Sequence, residues 1–279
     1  MNRSRSSFLL MFALILSFSA PSVAAQKTWD GSVDNDWHDD NNWTPFGVPG
    51  VGDDVIIDNI APLPQITSSD VTILSLTING GATLTLNGAR TINVTGTTGI
   101  DGNVTGGTGS LTFGGAMTLA AATSISTTGG AINITSITGG GFTLSLNSGT
   151  AGTITVSGAV DDVATLTIVQ SNGTTFQNTL GAGTAGIVTL TDTENGQTVA
   201  FQGNTDITTL NTTANGYNLS FTGGTTDVTA DATLSSTGSI TLGDGGDVLT
   251  FTGGFDSTST SGTYLLPISP LTENPNNSN

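Results

Sequence analysis

The side chains with the most chemistry to offer stand together in TWDGSVDNDWHDDNNWTPFGVPGVGDDVIID, residues 28–58. Trp29, Trp37 and Trp43 are the only three tryptophans of the chain. Exposed, they would give aromatic faces for sugar rings to stack on; buried with Pro45, Phe46 and Pro49, they would close one end of the fold. Asp34, Asp36, Asp39 and Asp40 carry the hard oxygens that Ca²⁺ prefers, with Asp53 and Asp54 downstream. The segment lacks the Gly at the sixth and the Glu at the twelfth position of an EF-hand loop, and Asx turns would employ the same residues without an ion. His38, the only histidine, cannot build a multi-histidine metal centre, but one imidazole suffices for a proton-transferring triad.

Elsewhere the chemical signals are thinner. Gly243-Asp244-Gly245-Gly246-Asp247 matches most of a G-G-x-G-x-D calcium repeat, with Leu242 in place of the first Gly. Such motifs bind through stacked copies, so a single copy reads as a tight turn. Asn204-Thr205-Asp206 and Asp161-Asp162 resemble the acidic elements of polygalacturonase-type hydrolases. Their order is reversed, and the Gly-His-Gly and Arg-Ile-Lys elements of that family have no counterpart here. The expectation is a protein that is not an enzyme and needs no cofactor, calcium being the one ion that its residues suggest.

Composition narrows the classes further. The chain has 279 residues, 39 of them Gly and none Cys, which removes disulfides, thiolate nucleophiles and Cys-ligated metals. Arg3 and Arg5 precede an apolar run from Phe8 to Phe18, and Val23-Ala24-Ala25 reads as a small-residue cleavage site. Residues 1–25 are therefore expected to be a secretory signal peptide, since the run is shorter than the 18 or more residues of a membrane span. Without them Lys27 and Arg90 are the only basic residues against 21 acidic ones, a formal charge of −19. That surface repels phosphate backbones and anionic headgroups, which argues against nucleic acid or membrane insertion.

The elements that must position these residues are strands. Leu76 and Ile78, Leu84 and Leu86, Ile92 and Val94, Leu111 and Phe113, and Ile132 and Ile134 alternate with Thr, Ser and Asn. The pattern continues through Leu144 and Leu146, Ile154 and Val156, Leu166 and Ile168, Val188 and Leu190, Leu219 and Phe221, and Leu249 and Phe251. Period-two alternation in short runs is the half-buried strand signal, and no helical period competes with it. Gly or Asn-Gly recurs between the runs, which marks a repeat architecture. The fold expected is all-β, a right-handed parallel β-helix. The alternative is an antiparallel β-sandwich in which Asn79-Gly80, Asn87-Gly88, Asn172-Gly173, Asn195-Gly196 and Asn215-Gly216 would be hairpin turns. Residues 26–66 form a Trp/Asp-rich capping segment in this reading, residues 67–263 the solenoid and residues 264–279 a Pro/Asn-rich tail.

The opening segment, with its W-x-G, D-x-x-W, N-W and D-D-V-x-I elements, and the TLTL, TINV and TITV runs resemble bacterial exported β-strand-repeat proteins of the filamentous-haemagglutinin and autotransporter-passenger type. The resemblance covers nearly the whole chain after residue 25. It implies a secreted or cell-surface structural or adhesive protein without shared catalytic residues, facing an extracellular glycan or surface receptor and open to self-association. A carbohydrate- or calcium-binding module is the alternative function.

Overall fold

A computed structural model describes residues 24–181, 186–256 and 264–265; the expected signal peptide up to residue 23 and all of the tail but two residues lie outside them. Among the described residues the helical content is one short 3₁₀ turn, Asp40–Asn42, and no helix is long and apolar enough to cross a membrane. Everything else regular is strand, because the alternating runs bury every second side chain: Ile92–Val94 and Ile154–Val156 each place two apolar side chains inside and one polar side chain outside.

The strands stack in parallel on three faces of a solenoid. The first face starts with Gln26–Trp29 and Asp54–Ile57 and continues through 75–78, 98–100, 117–119 and 136–138. The second runs from Gln65–Ile66 through 82–86, 102–105 and Thr123–Ser126 towards Ala232–Thr233. Among the described residues the third has ten strands, from Val71–Ile73 to Tyr264–Leu265, and hence nine turns between them. Coil length follows from register: Val94 pairs with Phe113, 19 residues on, and Phe176 with Phe201, 25 residues on. The 16-residue strand Ile132–Asn147 passes through all three faces of one coil.

The core is a narrow apolar column. On the third face Ile73, Val94, Phe113, Ile134, Val156, Phe176, Phe201 and Phe221 form one inward rank, all buried. Each such side chain contributes about 1.5 to 3 kcal/mol by leaving water. The rings of Phe201 and Phe221 stack 4.8 Å apart with nearly parallel planes, at the spacing of neighbouring strands. Leu74, which the alternation groups with Leu76 and Ile78, is instead 37% exposed, because it turns the corner between strands Val71–Ile73 and Ser75–Leu86.

The antiparallel sandwich is corrected by this register. All strand pairs but one are parallel among the described residues, and the five Asn-Gly pairs turn corners between faces rather than joining hairpins. Four of them, at 87, 172, 195 and 215, lie on the corner between the second and third faces. Corner glycines do two jobs. Gly88 adopts φ +63°, the left-handed region, and a Cβ on Gly107 in the next coil would sit 1.9 Å from the Gly88 carbonyl oxygen. Asparagines at corners and on strands clasp successive coils: Asn103, Asn195, Asn204 and Asn218 each accept a backbone N–H from a residue 21 positions later, at 2.9 to 3.2 Å.

The boundary expected at residue 66 does not divide cap from solenoid. Gln26–Trp29, Asp54–Ile57 and Gln65–Ile66 are already levels of the stack, so the added element is the excursion from residue 30 to residue 53.

Candidate functional site

Residues 30–53 fold over the first strands, and the reason lies in a solenoid's end: the edge of Gln26–Trp29 would otherwise expose unpaired N–H and C=O groups. Strand Trp43–Thr44 covers it, running antiparallel so that Trp29 lies opposite Trp43 and Thr28 opposite Thr44. On the second face a bridge between Asp36 and Gln65 does the same for one residue.

The three tryptophans come together inside this segment. Trp29 and Trp37 are fully buried and Trp43 is 2% exposed. Their rings meet edge to face, 5.1 Å between Trp29 and Trp43 and 4.7 Å between Trp37 and Trp43. Trp29 Nε1 donates to the Pro62 carbonyl and Trp43 Nε1 to that of Trp37. Trp37 Nε1 is buried without a partner. No ring face is left for a sugar to stack on.

The excursion is held by its polar residues. Asn42, fully buried, accepts from the backbone N–H of Val33 and Asp34 and donates to Asp34 Oδ1 and the Asp36 carbonyl. That is four hydrogen bonds, and no local pattern sets this Asn apart from the 21 others of the chain as the pin of the loop. Lys27, only 9% exposed, donates from Nζ to the carbonyls of Pro45 and Phe46. The carboxyl of Asp30 is held below its ordinary range by hydrogen bonds from Ser32 and Thr44.

The candidate calcium ligands are not gathered around a common point. Asp34 Oδ1 takes the N–H of Asp36, Asp36 Oδ1 that of His38, Asp39 Oδ1 that of Asn41, and Asp40 Oδ1 that of Val48. Asp34, Asp36 and Asp39 are Asx-type clasps on their own turns, and Asp40 ties Val48, eight residues on, back to the short helical turn. The Asp34 carboxyl is accordingly lowered by the Asp36 N–H and the Asn42 amide. Among the described residues no group of three or more His, Cys, Asp or Glu side chains could hold a metal ion. Gly243–Asp247 is also a tight turn, with Asp247 Oδ2 accepting the N–H groups of Asp244 and Gly245.

The hydrolase-like elements separate as well. Asp161 and Asp206 share the first face two levels apart, with Gly181 between them. Thr205 is buried in the column, and Asn204 serves as a clasp to Thr225.

One arrangement does bring reactive groups together. Beside the excursion lies an open cleft walled by Trp37, His38, Val48, Pro49, Ser69 and Val71. Its floor is the first strand of the third face. There His38 Nε2 lies 2.8 Å from Ser69 Oγ, and His38 Nδ1 lies 3.5 Å from Asp36 Oδ1. Sequence reasoning singled out His38 and Asp36 but missed Ser69, 31 residues further on, because one serine among many carries no pattern.

A family profile described as a domain of unknown function (DUF8693) matches residues 28–138, less than half of the chain, spanning the tryptophan segment and the first coils alike. No curated protein and no solved structure matches the chain.

Proposed function

We propose that the chain is an extracellular structural or adhesive rod. The observation that carries this reading is the lateral surface of the second face. Its outward positions hold Thr83 and Thr85, Asn103 and Thr105, Ser124 and Ser126, Ser145 and Asn147, and Thr167 and Gln170, two ranks repeated coil after coil, with Thr165 outward beside Thr167. Successive coils are about 4.8 Å apart, so the stack offers an extended, uncharged hydrogen-bonding surface rather than a pocket. Many weak contacts of one kind add through avidity, which is what adhesion to a polymeric or cellular surface requires. The excess of acidic side chains keeps such a rod soluble, and the signal-like residues 1–25 support a destination outside the cytoplasm.

The test coats inert beads with residues 26–279 and measures their retention under flow on glycan-coated and cell-coated surfaces. Retention above that of beads bearing an unrelated protein of equal charge, and weakened by replacing Thr83, Thr85, Thr165 and Thr167 with Asp, is expected. Equal retention on every surface contradicts the reading.

A further inference from the structure

The geometry points to Ser69 as an activated nucleophile, with His38 as its general base and Asp36 as the residue that positions the imidazole, in a site that takes neutral acyl esters. This goes beyond the scaffold reading, which concerns the coils and stands or falls separately.

The argument begins with the tautomer. His38 Nδ1 is buried and has no hydrogen-bond partner, and the nearest charged atom is Asp36 Oδ1 at 3.5 Å. A carboxylate beside a buried ring nitrogen favours the form with the proton on that nitrogen. Nε2 is then the lone-pair side, and it is the atom 2.8 Å from Ser69 Oγ. The hydroxyl therefore donates to the imidazole, which is the direction general-base activation needs.

Both partners are fixed from outside the pair. Asp36 Oδ1 also accepts the backbone N–H of His38 at 3.0 Å, and the Asp36 backbone is bridged to Gln65. Ser69 sits on the corner between Gln65–Ile66 and Val71–Ile73, so two consecutive faces of the stack hold its backbone. The hydroxyl is exposed and opens on the cleft, whose Val48, Pro49 and Val71 give an apolar wall for an acyl chain. Asp70 beside it and the acidic surface as a whole disfavour anionic substrates.

In the reaction Ser69 Oγ bonds to the ester carbonyl carbon while its proton passes to His38 Nε2. The carbon–oxygen bond to the alcohol breaks, and the alcohol leaves with that proton. Water then adds to the acyl-serine, giving a proton to His38 Nε2, and the carboxylic acid departs as that proton passes from His38 to Ser69 Oγ.

The probe is diethyl 4-nitrophenyl phosphate, a neutral phosphoryl ester. Ser69 Oγ bonds to phosphorus, 4-nitrophenolate leaves with the bonding electrons, and the serine proton goes to His38. Peptide mapping by mass spectrometry should find Ser69 modified at least tenfold faster than its exposed neighbour Ser68 in the unaltered protein, a comparison that needs no variant to fold. His38→Gln, which can still accept from the hydroxyl but is no base, should slow labelling at least tenfold. Asp36→Asn keeps an oxygen for the His38 N–H without the charge, and should slow labelling while leaving the melting temperature in place. Labelling of Ser69 no faster than of Ser68, or equally fast in His38→Gln, overturns the proposal and leaves the contact as a tie between the excursion and the first coil.

Discussion

Trp29 and Trp43 face each other across the antiparallel pairing that closes the edge of the first strand, with ring centroids 5.1 Å apart and planes at 78°. The backbone pairing and the ring contact satisfy the two needs of a solenoid end at once: partners for open N–H and C=O groups, and cover for the apolar column. Trp43→Ala would leave a cavity beneath Trp37 and Trp29 and should cost about 3 to 5 kcal/mol in urea unfolding. Sedimentation should also show self-association, because the uncovered edge is a template for another strand. A variant that stays monomeric and as stable as the parent would mean that the segment is not a closure.

Glycine positions separate steric from conformational demand. At Gly107 a Cβ would meet the Gly88 carbonyl oxygen at 1.9 Å, so Gly107→Ala must push two coils apart and should cost about 3 kcal/mol. At Gly81, φ +78° with nothing within 4 Å, alanine meets only backbone strain, about 1 to 2 kcal/mol. Thermal melts of the two variants side by side check the order, and a larger loss at Gly81 would contradict the coil stacking.

Tyr217 is fully buried, donates to the Leu190 carbonyl and accepts from the Thr213 N–H. Burial pushes its phenol up from the ordinary value of 10.0. The unfolded chain therefore ionises first: the tyrosine's contribution is whole below pH 10 and declines as pH rises through the folded value. Tyr217→Phe should cost about 1 kcal/mol at neutral pH and make the alkaline decline shallower. Parallel slopes above pH 10 in the two proteins would show that another group governs that limb.

Calcium should leave stability where it is. A site saturated a hundredfold above its dissociation constant would add about 2.7 kcal/mol. Because Asp34, Asp36, Asp39 and Asp40 each clasp a separate backbone N–H, melting curves in millimolar Ca²⁺ and in EDTA should superimpose. A rise of several degrees that disappears in Asp36→Ala would contradict this.

How much of this was legible in the sequence differs between core and site. The inward ranks could be read almost residue by residue, since Ile92 and Val94 or Ile154 and Val156 alternate wherever a strand has one dry face. Parallel against antiparallel could not be read there, because Asn-Gly suits a hairpin and a solenoid corner equally: Gly88 and Gly196 have the same positive φ either would require. What separates them is register between residues about 21 apart, such as Asn195 with Gly216, which short-range patterns do not contain.

The excursion followed the same rule. Its aromatic content marked it as special, but the roles of Asn42 and Lys27 depend on carbonyl and amide positions that exist only once the loop has closed. Asp36, offered as a metal ligand on residue type, is committed instead to the His38 N–H and faces the His38 ring. Ser69 reaches His38 because the coil carries the chain around one full turn, and no local spacing announces that.

The parallel stack is the premise on which closure, lateral surface and cleft all rest, and the absence of cysteine allows it to be measured cleanly. Thr112 and Asn133 are register partners in adjacent coils, with Asn133 Nδ2 at 3.5 Å from Thr112 Oγ1. Replacing both with Cys and oxidising the folded protein should give an intramolecular disulfide in high yield, visible as faster migration on non-reducing gels and as a linked peptide pair by mass spectrometry. A double variant that stays reduced, while cysteines at Thr112 and Ser124, separated by the first-face segment 117–119, cross-link instead, would contradict the solenoid.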